Sequence, residues 1–225
     1  MIEGLDGAGK STQVGRLRSY LEGFGALEYV HFPRYDAPVY GGLISRYLSG
    51  EFGSLQEVHP QLVALLFAED RHGAAPLLRA SLEQGRIVLL DRYVYSNIAY
   101  QCSKLRDEGQ ARRLAEWILQ TEYGQFALPR PDLNIFLDVP LSFVRGNLSA
   151  DREGRDRDYL KGSADIHEAD LSLQERVRER YLSLVESDPK FLRLDCSDGE
   201  GGILPQEEIF FRLKAVVDKV LQNNI

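Results

Sequence analysis

Eight consecutive residues near the start of the chain, Gly4-Leu5-Asp6-Gly7-Ala8-Gly9-Lys10-Ser11, follow the phosphate-binding pattern G-x-x-x-x-G-K-[ST]. In such a loop the glycines let backbone N–H groups turn inward around a phosphate chain, which a Cβ would obstruct. Lys10 supplies a mobile positive charge to the outer phosphates, and the Ser11 hydroxyl is placed to ligate Mg²⁺. A helix is expected to begin at Lys10, so that its dipole and unpaired amides also face the anion. The loop needs a strand before it and an amphipathic helix after it, and Val14, Leu17 and Leu21 recur at helical spacing.

The rest of the chain supplies those elements. Glu28–His31, Ile87–Leu90, Leu133–Asp138 and Phe191–Leu194 read as buried strands separated by helical stretches. Gly85 stands where a helix would stop, and Pro140 where one would start. This alternation predicts an α/β fold, a doubly wound parallel sheet with helices on both faces and ligand sites at the carboxyl ends of its strands. The strand feeding the loop has only Met1, Ile2 and Glu3 available. Either it is unusually short, since strands commonly run about five or six residues, or the chain lacks some natural N-terminal residues. Residues 149–163 are too charged to bury a face, and 197–202 read as a glycine-rich loop.

With 225 residues the chain suits one domain and is too short for two ordinary ones. It contains no apolar run of membrane-spanning length. Cys102 and Cys196 form no metal-type spacing, so ordinary packing in a reduced cytoplasm is expected. A net charge of −7 argues against a nucleic-acid polymer as partner, which would require a basic face.

Four further segments narrow the class: Phe32-Pro33-Arg34, Leu66-Phe67-Ala68-Glu69-Asp70-Arg71, Asp91-Arg92-Tyr93 with Ser96, Asn97, Tyr100 and Gln101, and Asp165-Ile166-His167-Glu168. In this order and spacing, together with the first loop, they resemble the thymidylate kinase family, P-loop kinases that phosphorylate dTMP with ATP. The resemblance implies that Gly4, Leu5, Asp6, Gly7, Ala8, Gly9, Lys10, Ser11 and Thr12 hold ATP. It implies that Arg34 and Arg92 bind the acceptor phosphate, a task suited to forked guanidinium groups. It also implies that Phe67 stacks on the base while Arg71, Asn97 and Gln101 read its edge, that Tyr100 crowds the sugar 2′ carbon, and that Asp6 approaches the 3′-hydroxyl. Asp91 is expected to act on Mg²⁺ directly or through water, with a strand-end cap as its alternative role.

Some relatives carry an arginine in the loop where this chain has Gly7. The charge at the transferring phosphoryl is then expected from a lid at about 149–163, with Arg155 the first choice and Arg152 and Arg157 the others. Asp165, His167 and Glu168 match a substrate-side cluster, although many relatives have tyrosine in place of His167. The resemblance also implies a cytoplasmic homodimer with Mg²⁺ as cofactor and ATP and dTMP as substrates.

Two rival readings remain. One is another nucleoside monophosphate kinase or a deoxynucleoside kinase. The other is a nucleotide switch or motor ATPase. The latter lacks its usual marks, since no Asn-Lys-x-Asp or Thr-Lys-x-Asp is present and Arg92, not a water-activating glutamate, follows Asp91.

Overall fold

The computed structural model describes residues 1–149 and 165–224, as backbone only for 223 and 224. Five strands, β1 (Ile2–Gly4), β2 (Leu27–His31), β3 (Ile87–Asp91), β4 (Asn134–Asp138) and β5 (Phe191–Asp195), form one sheet in the order β2-β3-β1-β4-β5. Every pairing is parallel. From β1 the chain crosses toward β2 through α1 (Lys10–Leu21), and every later crossover runs the other way, through α2 (Tyr40–Leu48), α3 (Pro60–Glu83), α4 (Val94–Cys102), α5 (Glu108–Leu119), α6 (Leu141–Ser149) and α7 (Leu171–Ser187). Right-handed crossovers then put α1 on one face, joined by α8 (Gln206–Asn224), and α3, α4 and α7 on the other. The doubly wound expectation therefore holds. The reversal of direction at β1 places the crevice for ligands at that strand's carboxyl end.

The core is densest around β4, all five residues of which are buried. The expectation of buried strands fails at the edges. β2 is largely half-buried, and in β5 only Phe191 and Leu194 are buried while Leu192 is 41% exposed. Among the described residues each of these strands has a sheet neighbour on one side only, which an apolar composition does not reveal. The helix boundaries inferred from Gly85 and Pro140 are observed: α3 stops just before Gly85 (φ 69°), and α6 starts just after Pro140. Cys102 and Cys196 are buried and free.

The first strand is as short as the sequence suggests. β1 meets β3 only at Ile2↔Asp91, so among the described residues the N-terminal part of β3 pairs with β2 alone. An apolar cavity lined by Leu17, Leu78, Leu89, Ile135 and Val217 lies there. The Met1 ammonium donates to the Leu133 carbonyl at 2.8 Å, and burial lowers its pKa to about 6.

An element absent from the sequence expectations follows α5. The helix widens into a π-helical turn, Gln120–Gln125, which turns Thr121 and Glu122 into the interior. Among the described residues, no helix is long and apolar enough to cross a membrane.

Candidate active site

The loop after β1 has the geometry its sequence requires, with one exception. Gly7 (φ 74°) and Gly9 (φ 72°) occupy left-handed backbone that glycine adopts without penalty, and Gly9 caps α1. Gly4 does not share this conformation, and a Cβ there would meet only ordinary contacts, the nearest at 3.6 Å. Gly4 is instead the last residue of β1. α6 presses on the loop: Asn147 Nδ2 donates to the Gly7 carbonyl at 2.7 Å.

Lys10 sits in the first turn of α1 with its ammonium against the Asp91 carboxylate at the end of β3. His31 Nδ1 reaches the other oxygen of that carboxylate at 3.0 Å. Burial alone would raise the Asp91 carboxyl, but Lys10 and His31 outweigh it and hold it well below the usual carboxylate range. Asp91 is therefore a permanent anion beside the loop. Ser11 and Thr12, the next residues of α1, are exposed.

Beside the loop opens a cleft. Of the residues expected around an acceptor, Asp6, Phe67, Arg71, Arg92, Asn97, Tyr100, Gln101, Asp165 and His167 all line it. Arg92 has positive φ (65°), unusual for a side-chain-bearing residue and a form of strain often found at functional sites. Its guanidinium donates to Asp6 Oδ1 at 2.6 Å and Ser96 Oγ at 3.2 Å. Asp6 also accepts from the Tyr100 hydroxyl (2.8 Å) and Gln174 Nε2 (3.0 Å), so the loop acid is tied into the cleft wall.

Deeper in, Arg71 and Glu122 form a buried two-pronged ion pair. Asn97 Nδ2 donates to Glu122 Oε1 and to the Ala64 carbonyl, each at 2.9 Å. Its own Oδ1 is buried without a hydrogen-bond partner among the described residues, an acceptor that a bound donor would satisfy. Phe67 is half-buried on the cleft wall.

Two expected residues do not reach the cleft. Arg34 lies against α3, its Nε on Asp70 Oδ1 (3.0 Å) and its Nη2 on the Asp70 carbonyl (2.5 Å). Its backbone N–H donates to Asp70 Oδ2 at 2.9 Å. Phe32 and Pro33, just before it, do line the cleft. Glu168 is half-buried outside the lining, in a turn whose backbone is capped by Asp165 Oδ1 accepting from the N–H of His167 (2.7 Å) and of Glu168 (3.4 Å). Asp165 thus orders the turn as well as facing the cleft. Arg152, Arg155 and Arg157 lie outside the described residues.

His167 is buried with its ring stacked on Tyr100, centroids 5.3 Å apart. Burial, then Lys104 and Arg92, hold it well below the ordinary histidine range, so it is neutral. Its Nε2 lies 3.4 Å from the Tyr47 hydroxyl, and that hydroxyl accepts from Lys104 Nζ at 2.6 Å.

Sequence reasoning passed over Glu122, Gln174, Tyr47, Lys104 and Asp70. Of these only Asp70 stood inside a quoted segment, and there without a role. A second omission is Glu3, fully buried in β1, which accepts from the backbone N–H of Tyr93 and Ser96 at 3.0 Å each and from the Tyr181 hydroxyl at 2.8 Å. It fixes the start of α4, the helix that contributes Ser96, Asn97, Tyr100 and Gln101 to the cleft wall.

With this geometry in hand, comparison with known proteins is decisive. The family model described as "Thymidylate kinase" matches residues 2–203. The chain belongs to the thymidylate kinase family. Among its relatives, the thymidylate kinase of Mycobacterium tuberculosis H37Rv is 35% identical over 185 residues, covering 82% of this chain and 84% of the relative. The thymidylate kinase of Bifidobacterium longum subsp. infantis is 30% identical over 227 residues, covering 100% of this chain and 87% of its own length. The solved thymidylate kinase of Candida albicans superposes with a TM-score of 0.73 at 25% identity, over 97% of this chain and 89% of that one. The five-stranded parallel sheet and its flanking helices thus form the P-loop kinase fold of this family.

Proposed function

We propose that this kinase transfers the γ-phosphoryl group of ATP to dTMP, giving ADP and dTDP, with the loop after β1 holding the donor and the cleft holding the acceptor. The observation that carries this arrangement is the Asp6–Arg92 pair. It joins the donor loop to the wall of the acceptor cleft, so two phosphates would meet at one point. An oxygen of the acceptor phosphate attacks the γ-phosphorus, the bond to the β–γ bridging oxygen breaks, and ADP leaves. Such a reaction asks for alignment and spread-out charge neutralisation, with no covalent intermediate.

Lys10 would leave Asp91 for the phosphate chain of ATP, an exchange of one anion for another. Arg92 would take the acceptor phosphate, and so would Arg34, whose Nη1 is not used in its bonds to Asp70. Phe67 would lie on the base, with Arg71, Asn97 and Gln101 at its edge. Tyr100 and Asp6 would meet the sugar, and His167 and Glu168 would support the substrate side.

Mg²⁺ is held mainly by substrate phosphates and water in such enzymes, with one or two protein oxygens. The exposed Ser11 hydroxyl and the Asp91 carboxylate fit that need, and among the described residues no three acidic, histidine or cysteine side chains converge as a metal cage. When bound, the ion would neutralise charge on the β- and γ-phosphates.

Residues 149–163 would act as a lid of a single kinase domain, supplying Arg155, with Arg152 and Arg157 beside it, in place of the cation absent at Gly7. A homodimer is supported by α3, which leaves Leu62, Leu65 and Leu77 exposed on the molecular surface. A cytoplasmic setting is supported by the two free cysteines.

ADP release measured with Mg-ATP and dTMP, dUMP, dCMP, dGMP or no acceptor tests the reading. Rapid release with dTMP and almost none without acceptor is expected. A clear preference for another nucleotide would move the assignment to a neighbouring monophosphate kinase, and vigorous acceptor-free release would point to an ATPase.

A further inference from the structure

We infer that Lys104 is a specificity-determining positioning residue: its ammonium clamps Gln101 of α4 to Tyr47 of α2 and thereby fixes which end of the Gln101 carboxamide faces the acceptor cleft. Lys104 lies just beyond α4, and its Nζ donates to Gln101 Oε1 at 2.7 Å and to the Tyr47 hydroxyl at 2.6 Å. An ammonium has three donors and no lone pair. It can therefore hold the carboxamide only by its oxygen, which leaves the NH₂ end of Gln101 for the cleft it lines. The same logic makes Tyr47 an acceptor toward Lys104, freeing its proton for neutral His167 Nε2 and keeping that ring against Tyr100.

The consequence is a polarity code in the cleft. A donor from Gln101 suits a ring carbonyl and opposes a ring amino group, so the clamp favours a base with carbonyls over one with an exocyclic amine at that edge. A site built to hydrogen-bond one group rejects the analogue that leaves it mispaired.

The clamp is also poised to titrate. Burial lowers the Lys104 pKa to about 7, with Asp165 opposing that shift. Around it stand Tyr47 from α2, Asp165 and His167 from the turn before α7, and on the outer side Arg106, Glu108, Asp170, Arg176, Glu179 and Arg180. The neutral amine gains a lone pair. It could then accept from Tyr47 or from a flipped Gln101, and the code would blur.

The test compares wild type, Lys104→Met and Lys104→Arg with Mg-ATP and either dTMP or dCMP, across pH 6.5 to 8.5. The inference rests on the acceptor reading of the cleft. Absence of dTMP-dependent ADP release in wild type would overturn that reading, whereas the variants judge the clamp alone. For Lys104→Met, KM for dTMP is expected to rise about tenfold with kcat little changed, and the dTMP:dCMP ratio of kcat/KM to fall about tenfold. For wild type the ratio declines as pH rises through about 7, whereas Lys104→Arg, charged throughout, holds it level and controls for ionisation of the substrate itself. An unchanged ratio in Lys104→Met overturns the inference. If that variant does not fold, the Arg variant decides: a pH decline matching wild type overturns it as well.

Discussion

Arg71 on α3 and Glu122 in the π-helical turn after α5 meet in a two-pronged ion pair, Nε–Oε2 2.5 Å and Nη2–Oε1 2.8 Å, with both side chains essentially excluded from solvent. The π turn carries Glu122 into the interior, where this pair forms. Removing either partner strands a buried charge, at a cost of about 3–5 kcal/mol. Glu122→Ala is therefore expected to lower the unfolding free energy by that amount and, by releasing Arg71 and Asn97, to raise KM for dTMP. Arg71→Ala should show both effects as well, so its weakened dTMP affinity comes with lost stability. Chemical denaturation beside steady-state kinetics checks this. A variant losing affinity at full stability would show that the pair contributes nothing to the fold.

Lys10→Ala is expected to reduce kcat at least about a hundredfold, the scale on which a single preorganised charge at a transition state acts. Single-turnover measurements with saturating Mg-ATP and dTMP report this directly. Near-normal turnover would remove Lys10 from the donor site and leave it as no more than the partner of Asp91.

The loop after β1 was legible because its pattern is local: eight adjacent residues specify turn, charge and helix start together. The cleft was legible in part, for Asp6, Arg92, Asn97, Tyr100 and Gln101 sit in recognisable runs. What holds them was not. Glu122 is 51 positions from Arg71 and Gln174 is 168 from Asp6, and no periodicity links such distances. Arg34 illustrates the same gap: its type suits a phosphate, yet only the fold shows that Asp70 already holds it. The edge position of β5 was hidden because strand order is a property of topology, and Phe191, Leu192 and Leu194 are as apolar as a central strand. Gly4 reads like Gly7 and Gly9 in sequence, although only the latter two use their freedom.

Stability should depend on pH through His167. Burial, Lys104 and Arg92 hold its folded-state pKa well below the ordinary histidine value of about 6.5, while the unfolded chain protonates near that value. Below about pH 6.5 the unfolded state thus binds more protons, and folding stability falls as pH falls, with no penalty above that range. Urea unfolding between pH 7.5 and 5 should show a steeper acid loss for wild type than for His167→Phe. Parallel curves for the two proteins would mean that the ring accepts a proton without cost.

Asp70 and Arg34 are expected to act as one unit. The carboxylate accepts from both the backbone N–H and Nε of Arg34, and an asparagine could satisfy only one of these while turning an amide N–H against the other. Asp70→Asn should therefore unseat the guanidinium and raise KM for dTMP by about tenfold, leaving KM for ATP within about twofold. Arg34→Ala should do the same by removing the cation. Because both changes disable a single element, the double variant should be no worse than either single one, the non-additivity expected of coupled neighbours. Purely additive losses would place Arg34 and Asp70 in separate roles, and unchanged KM in Arg34→Ala would leave Arg92 as the acceptor cation among the described residues.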